Sequence, residues 1–194
     1  MPRPSAKSRI EAAALALFAQ KGVAATSIRD IAAAAGVSEG ALYRHFPSKD
    51  ALVAALFAEH YAALARSLAA LAADGPDFAA RLRAVIQGLC ALHDREPDAF
   101  NFMLVVQHEQ LPRYDNAGGS PVDGLRRLIE TGIASGAVTV RDSELATGLV
   151  LGIVVQTATL KLYGRITRPL GALAPALADA ALRALGCLSA GDKS

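Results

Sequence analysis

Apolar residues recur at helical spacing along most of the chain. Near the N-terminus, Ile10, Ala14, Leu17 and Phe18 form one apolar stripe, which is typical of a helix that packs one face on a core. Serine, aspartate, glycine and proline interrupt the stripes where helices begin and end. The pattern predicts about nine helices, over residues 8–21, 27–35, 38–46, 48–73, 77–95, 97–111, 120–135, 142–164 and 173–187. Because no segment alternates convincingly as a strand does, the predicted fold class is all-α.

The second and third predicted helices have the residue order of a helix-turn-helix. Ala32 is small enough to let the second helix approach, and Gly36 can adopt a left-handed turn at low cost. Val37 and Leu42 then fill the wedge between the two helices. Taken alone, the order also fits an ordinary corner between two helices.

Charge and composition favour a polyanionic partner for the N-terminal part. Residues 1–50 carry seven basic and four acidic side chains, although the whole chain has a net charge of only +2. A basic N-terminal domain is typical of nucleic-acid binding, but this excess is small enough to arise by chance. Cys90 and Cys187 have no motif spacing and no signal peptide is visible, so we expect reduced thiols and a cytoplasmic protein.

The residues around the turn carry a specific resemblance. They are Thr26-Ser27-Ile28-Arg29-Asp30-Ile31-Ala32, Ala35-Gly36-Val37-Ser38, Leu42-Tyr43-Arg44-His45-Phe46, Lys49 and Leu52. This set resembles the DNA-binding domain of the tetracycline-repressor (TetR) family over about residues 8–55. The resemblance implies a helix-turn-helix DNA-binding domain at residues 1–47. It also implies a larger helical domain for ligand binding and dimerisation at residues 48–194.

The resemblance assigns the third helix to the major groove of a double-stranded DNA operator. The expected DNA-binding residues are Thr26, Ser27, Ser38, Glu39, Gly40, Ala41, Tyr43, Arg44, His45 and Lys49. Within this set, Tyr43, His45 and Lys49 are expected to contact phosphates. Glu39 and Ala41 depart from the commonest family pattern. Glu39 either accepts from a cytosine amino group or is a solvated capping charge.

The resemblance also predicts a homodimer through the last two helices. The expected interface residues are Gly148, Gly152, Gln156, Leu177 and Ala181. Small residues four positions apart allow two helix backbones to approach closely. The alternative is that the glycines serve packing within one chain.

The predicted ligand pocket lies among the fifth, sixth and eighth helices. Its expected lining is Cys90, His93, Phe100, Met103, Gln107 and Tyr163. Because the sixth helix has no Lys or Arg, the pattern favours a small hydrophobic ligand over a strongly anionic one. The alternative for each residue is an ordinary core position.

No other chemistry is predicted. We expect no cofactor and no metal site, and the sequence has no catalytic constellation that would indicate an enzyme. The longest uncharged run, residues 145–160, is shorter than the roughly 20 residues of a membrane helix and contains threonines, so we expect no membrane partner.

The hypothesis for the function of the chain is a repressor released from a palindromic operator by a small apolar ligand. The alternative is a DNA-binding dimer that is constitutive or controlled by a protein partner.

Overall fold

A computed structural model describes residues 4–115 and 119–187. This part of the chain contains nine α-helices, a short 3₁₀ helix at Leu111–Arg113 and no strand, which confirms the predicted all-α class. The helices are α1 Ala6–Lys21, α2 Ile28–Ala35, α3 Glu39–His45, α4 Lys49–Ala73, α5 Phe78–Arg95, α6 Pro97–Gln110, α7 Pro121–Ala134, α8 Ser143–Leu162 and α9 Ala174–Ala184.

Side-chain caps explain why the helices begin where the sequence predicts. The Ser27 hydroxyl accepts from the Asp30 backbone N–H, and the Asp30 carboxylate accepts from the Ser27 N–H, which forms a capping box. The Ser38 hydroxyl accepts from the Ala41 N–H at 3.1 Å, and Asp142 caps α8. Each cap satisfies backbone donors that have no partner inside the helix.

The described residues form two compact units. The first contains residues 4–60 and 97–115, and the second contains residues 61–96 and 119–187. The first unit includes residues 97–115 because α6 packs against α1, and the predicted domain boundary after residue 47 stays a prediction.

The first unit is built around α1, which contacts α2, α3 and α6. Ile10, Ala14 and Phe18 are buried on one face of α1, as their spacing predicts. The Phe18 ring stacks on Phe102 of α6, with the ring centroids 5.6 Å apart. Burial of a side chain of this size contributes roughly 1.5–3 kcal/mol, so α6 is a substantial part of this core.

In the second unit, α5 contacts α7 and α9, and α8 contacts the same two helices. Close packing at Gly132 of α7 leaves little space. A Cβ added there would lie 2.6 Å from the Phe78 ring and 2.8 Å from Val138.

A carboxylate joins the end of α5 to the loop before α9. Asp94 accepts from the backbone N–H groups of Leu170 at 2.9 Å and Gly171 at 2.7 Å. Burial alone raises the pKa of Asp94, but these two donors together with His93 hold the pKa below its ordinary value. The ionised form therefore stabilises this loop.

Candidate DNA-binding site

The turn between α2 and α3 is held by backbone and side-chain hydrogen bonds. Gly36 has a φ of 62°, which is the left-handed conformation expected for this turn. The Arg9 Nη1 group on α1 donates to the carbonyls of Ala35 at 2.9 Å and Gly36 at 3.3 Å. A cation is favourable at these carbonyls, because they end a helix and lack helical partners. The pairing spans 26 residues, so the spacing around the motif does not reveal Arg9 as a positioning residue.

The third helix buries one face and exposes the other. Leu42 is fully buried and Phe46 is nearly so. These two residues hold α3 against the core of the first unit. The exposed side chains and glycine are Ser38, Glu39, Gly40, Tyr43, Arg44 and His45, with Ala41 half-buried. A Cβ at Gly40 would meet no atom within 4 Å, so the backbone is open to a partner at this point.

Thr26, which is among the predicted DNA-binding residues, does not lie on this exposed surface. The side chain has 0% exposure, and its hydroxyl donates to the Gly22 carbonyl at 2.7 Å. The hydroxyl satisfies a carbonyl at the end of α1. Ser27, the neighbouring helix cap, is exposed.

Lys49 is half-buried at the first position of α4. Its Nζ atom donates to the carbonyls of Val23 at 2.9 Å and Thr26 at 3.1 Å. Lys49 therefore anchors the turn between α1 and α2. An ammonium group has three N–H donors, so a phosphate contact by the third stays a prediction.

Charges near the turn divide into paired and unpaired groups. Lys21 and Asp30 form an ion pair at 2.7 Å, and hydrogen bonds from Lys21 and from Ser27 lower the pKa of Asp30 to about 2. Arg29 and Arg44 are exposed and have no carboxylate within 4.0 Å among the described residues. Arg29 was not predicted as a site residue, although a cation beside the cap of α2 was visible in the sequence.

The residues predicted for the dimer interface mostly share one exposed face. Gly148, Gly152 and Gln156 are exposed on α8, and Leu177 of α9 is half-buried. Ala181 is fully buried within the single chain and does not share this exposed face. It lies on the inner face of α9, which packs against the chain's own helices.

Helix α8 is apolar on both its buried and exposed faces. Leu145 is 56% exposed and Tyr163, which caps the helix, is 72% exposed. Among the described residues, α8 is the one helix long and apolar enough to cross a membrane by length and composition, and 28% of that window is buried inside the chain. The exposed apolar stripe therefore requires an explanation outside the single chain.

The residues predicted to bind a ligand divide between the two units. Phe100, Met103 and Gln107 belong to the first, and the Gln107 amide donates to the Leu104 carbonyl at 3.1 Å. The second unit contains the others, which are Cys90, His93 and Tyr163. Their assembly into one pocket stays a prediction.

The environments of the second-unit residues differ. Burial raises the pKa of the Cys90 thiol to about 11, so this thiol is protonated at neutral pH. Tyr163 is an exposed side chain of this unit, and its place in the lining of a ligand pocket stays a prediction. Its position at the end of α8 turns it towards solvent.

The N-terminal segment matches a known family. The sequence model described as "Bacterial regulatory proteins, tetR family" matches residues 10–56, which include α2, the turn and α3. The HTH-type transcriptional repressor KstR2 of Rhodococcus jostii is 40% identical over 73 residues, which are 38% of this chain and 36% of that protein. The matches cover only 16% to 36% of the length of the first curated relatives.

Solved structures match almost the whole chain. A bacterial regulatory protein in the tetR family from Rhodococcus RHA1 has a TM-score of 0.78 and 26% identity, over 96% of this chain and 100% of that one. The transcriptional regulator FadR of Bacillus subtilis, in complex with stearoyl-CoA, has a TM-score of 0.75 and 21% identity, over 91% and 97%. These matched proteins are regulators, in agreement with the prediction that the chain is not an enzyme. Residues 10–56 thus match the helix-turn-helix segment of the tetR family of bacterial regulatory proteins, and the whole chain is similar in fold to a solved member of that family.

Proposed function

We propose that this protein is a cytoplasmic, homodimeric transcriptional repressor that binds a palindromic DNA operator through α2 and α3 and is released by a small ligand. The main support for this proposal is the exposed face of α3, where Tyr43 and Arg44 lie beside the open backbone of Gly40. The opposite face is held by Leu42, and Arg9 secures the preceding turn. A helix that is held on one face and exposed on the other in this way suits the major groove.

Separate groups would supply affinity and specificity. The unpaired cations Arg29 and Arg44 favour phosphate or base contacts, because binding need not break an existing ion pair. Arg44 suits a guanine edge, since its guanidinium can donate two hydrogen bonds at once. Ala41 offers a methyl group to a thymine. The exposed Glu39 would lower affinity for phosphate and select against some base pairs.

The DNA test begins with selection of binding sites from random duplex DNA. A dimer should recover a palindrome whose half-sites are about one helical turn apart, or a multiple of one turn. Arg44→Ala should then weaken binding to the selected site by about 1–3 kcal/mol if Arg44 reads a base. Arg165→Ala removes the same charge from an exposed position after α8 and serves as the matched control. Failure to recover any preferred sequence would contradict specific operator binding.

The dimer is proposed from the exposed apolar stripe of α8. A Cβ at Gly148 or Gly152 would meet no atom of this chain within 4 Å, so both backbones are open to a partner helix. A second copy can bury Leu145 and Tyr163 on the same face. Continuous coverage of an apolar stripe favours a symmetric pair, since each copy presents the same surface.

Gly152→Leu tests the dimer. The single chain has space for the added side chain, so folding should be preserved, while a partner helix would be pushed away. Sedimentation should show monomers, and operator affinity should collapse because one half-site supplies only part of the contacts. Ala134→Leu adds bulk at an exposed position of α7 and should leave the dimer intact. A tight dimer in Gly152→Leu would place the interface elsewhere.

Ligand control is proposed because a structure of similar fold, FadR of Bacillus subtilis, holds stearoyl-CoA. A ligand that binds the DNA-free conformation more tightly must weaken operator binding, and DNA must weaken ligand binding by the same factor. Reciprocal titrations of ligand and DNA test this linkage. Operator binding that no small molecule changes would favour a constitutive or partner-controlled regulator.

A further inference from the structure

A groove of about 230 Å³ lies within the second unit, between the end of α4, the start of α5 and α7. Ala69 and Ala72 line it on α4, and Gly124 and Leu128 line it on α7. Ala73, Thr131 and two guanidinium groups, of Arg81 on α5 and Arg127 on α7, complete its lining. The groove thus combines small apolar walls with two cations. None of its lining residues belongs to the proposed DNA-binding or dimer surfaces.

The arginines of α5 and α7 divide into neutralised and unneutralised groups. On α5, Arg83 forms an ion pair with Asp179 at 2.6 Å. On α7, Arg126 lies 3.4 Å from Asp123, 3.7 Å from Glu130 and 3.5 Å from Glu144.

The two groove arginines have no such partners. Within the described part of the chain, no carboxylate lies within 4.0 Å of Arg81 or Arg127. Arg81 donates through Nε to the Gly75 carbonyl at 3.0 Å, which orients the group without cancelling its charge. The residues that line the groove include no acid. The described residues that line the groove therefore carry a net positive charge, without an ion-pair partner among them.

From this charge and shape, we propose that the groove binds a small organic carboxylate that acts as the regulatory ligand. The planar guanidinium fork matches a carboxylate, and two forks can grip one carboxylate from two helices. The alanines and Leu128 provide an apolar wall for a compact body. The volume falls below the roughly 300–1,000 Å³ of drug-sized pockets, so the ligand should be small.

This ligand differs from the hydrophobic molecule that the sequence favours. That expectation rested on the absence of Lys and Arg from α6, whereas the cations of the groove come from α5 and α7. Only the regulatory role of the carboxylate rests on the proposed function. Binding in the groove can be measured in the absence of DNA.

The test uses benzoate as the probe, titrated into the full chain by calorimetry. Benzyl alcohol has a similar body without the charge and should bind at least about tenfold more weakly. Inorganic phosphate has charge without the apolar body and should also bind more weakly. If either binds as tightly as benzoate, or if benzoate does not bind at millimolar concentrations, the proposed ligand class is wrong.

Four variants locate the site. Arg81→Gln and Arg127→Gln should each weaken benzoate binding by about tenfold or more. The matched controls Arg83→Gln and Arg126→Gln remove the same charge from the same helices, and their benzoate affinity should change less than about twofold. Thermal melts of all four establish that each variant is folded. Equal losses in all four would indicate attraction by overall charge, and so would overturn the groove as the site.

A DNA-binding measurement separates this inference from the proposed function. Benzoate should lower operator affinity in the wild type, and Arg127→Gln should abolish that response without altering operator binding in the absence of benzoate. Groove binding without any operator binding would refute the proposed function and leave the site standing. If benzoate saturates the groove and operator affinity does not change, the regulatory role of the carboxylate is refuted.

Discussion

Replacement of Lys49 by methionine separates two roles that meet at one ammonium group. Methionine keeps the apolar stem of the side chain but removes its three N–H donors. In the folded chain, two of these donors hold the Val23 and Thr26 carbonyls at 2.9 and 3.1 Å. The variant therefore removes the link between α4 and the turn between α1 and α2.

The expected loss of stability follows from these two bonds. A hydrogen bond to a charged group contributes about 1.5–3 kcal/mol when it is protected from water. Lys49 is half-buried, so its freed carbonyls can be hydrated in part, and we expect a total loss of about 1–2 kcal/mol. For a chain of this size, that corresponds to a fall in Tm of about 2–8 °C.

Urea denaturation and the salt dependence of operator binding should be measured together. If the third N–H also reaches a phosphate, the slope of log affinity against log salt should fall by about 0.9 in magnitude. Lys7→Met is the control, because it removes an exposed charge whose ion pair with Glu11 spans one helical turn. Wild-type stability in Lys49→Met would refute the anchoring role, and a lower slope at that stability would leave Lys49 as a phosphate contact alone.

Three further substitutions test other parts of the structure. Thr26→Val should destabilise the chain by about 1–3 kcal/mol in urea, because the half-buried Gly22 carbonyl loses its donor. An altered salt slope of operator binding in this variant would contradict the absence of a phosphate contact. Gly132→Ala should lower stability by about 1–3 kcal/mol, since the added carbon meets the Phe78 ring; an unchanged melt would contradict this tight packing. For Asp94, the folded pKa is depressed, so its contribution to stability should be present above about pH 4 and lost as the pH falls through the folded pKa. Asp94→Asn should flatten this part of the pH–stability profile, and a profile identical to wild type would refute the role of the carboxylate.

The sequence alone determined the helices and the orientation of α3. Apolar spacing and helix caps are local information, so Ser27, Ser38 and Asp142 cap helices where expected. The same spacing buries Leu42 and exposes Arg44, because residues two positions apart in a helix point towards opposite sides. The family resemblance was likewise visible in contiguous residues.

Only the tertiary structure decided which polar side chains form hydrogen bonds within the chain. Thr26 and Lys49 both fit a phosphate contact by their position in the motif, yet backbone carbonyls from earlier residues bind them. Arg9 reaches across 26 residues to the turn, and Arg81 and Arg127 meet at one groove from separate helices. Such pairings depend on how helices distant in sequence pack together. The local pattern that forms each helix does not determine which distant residue it will contact.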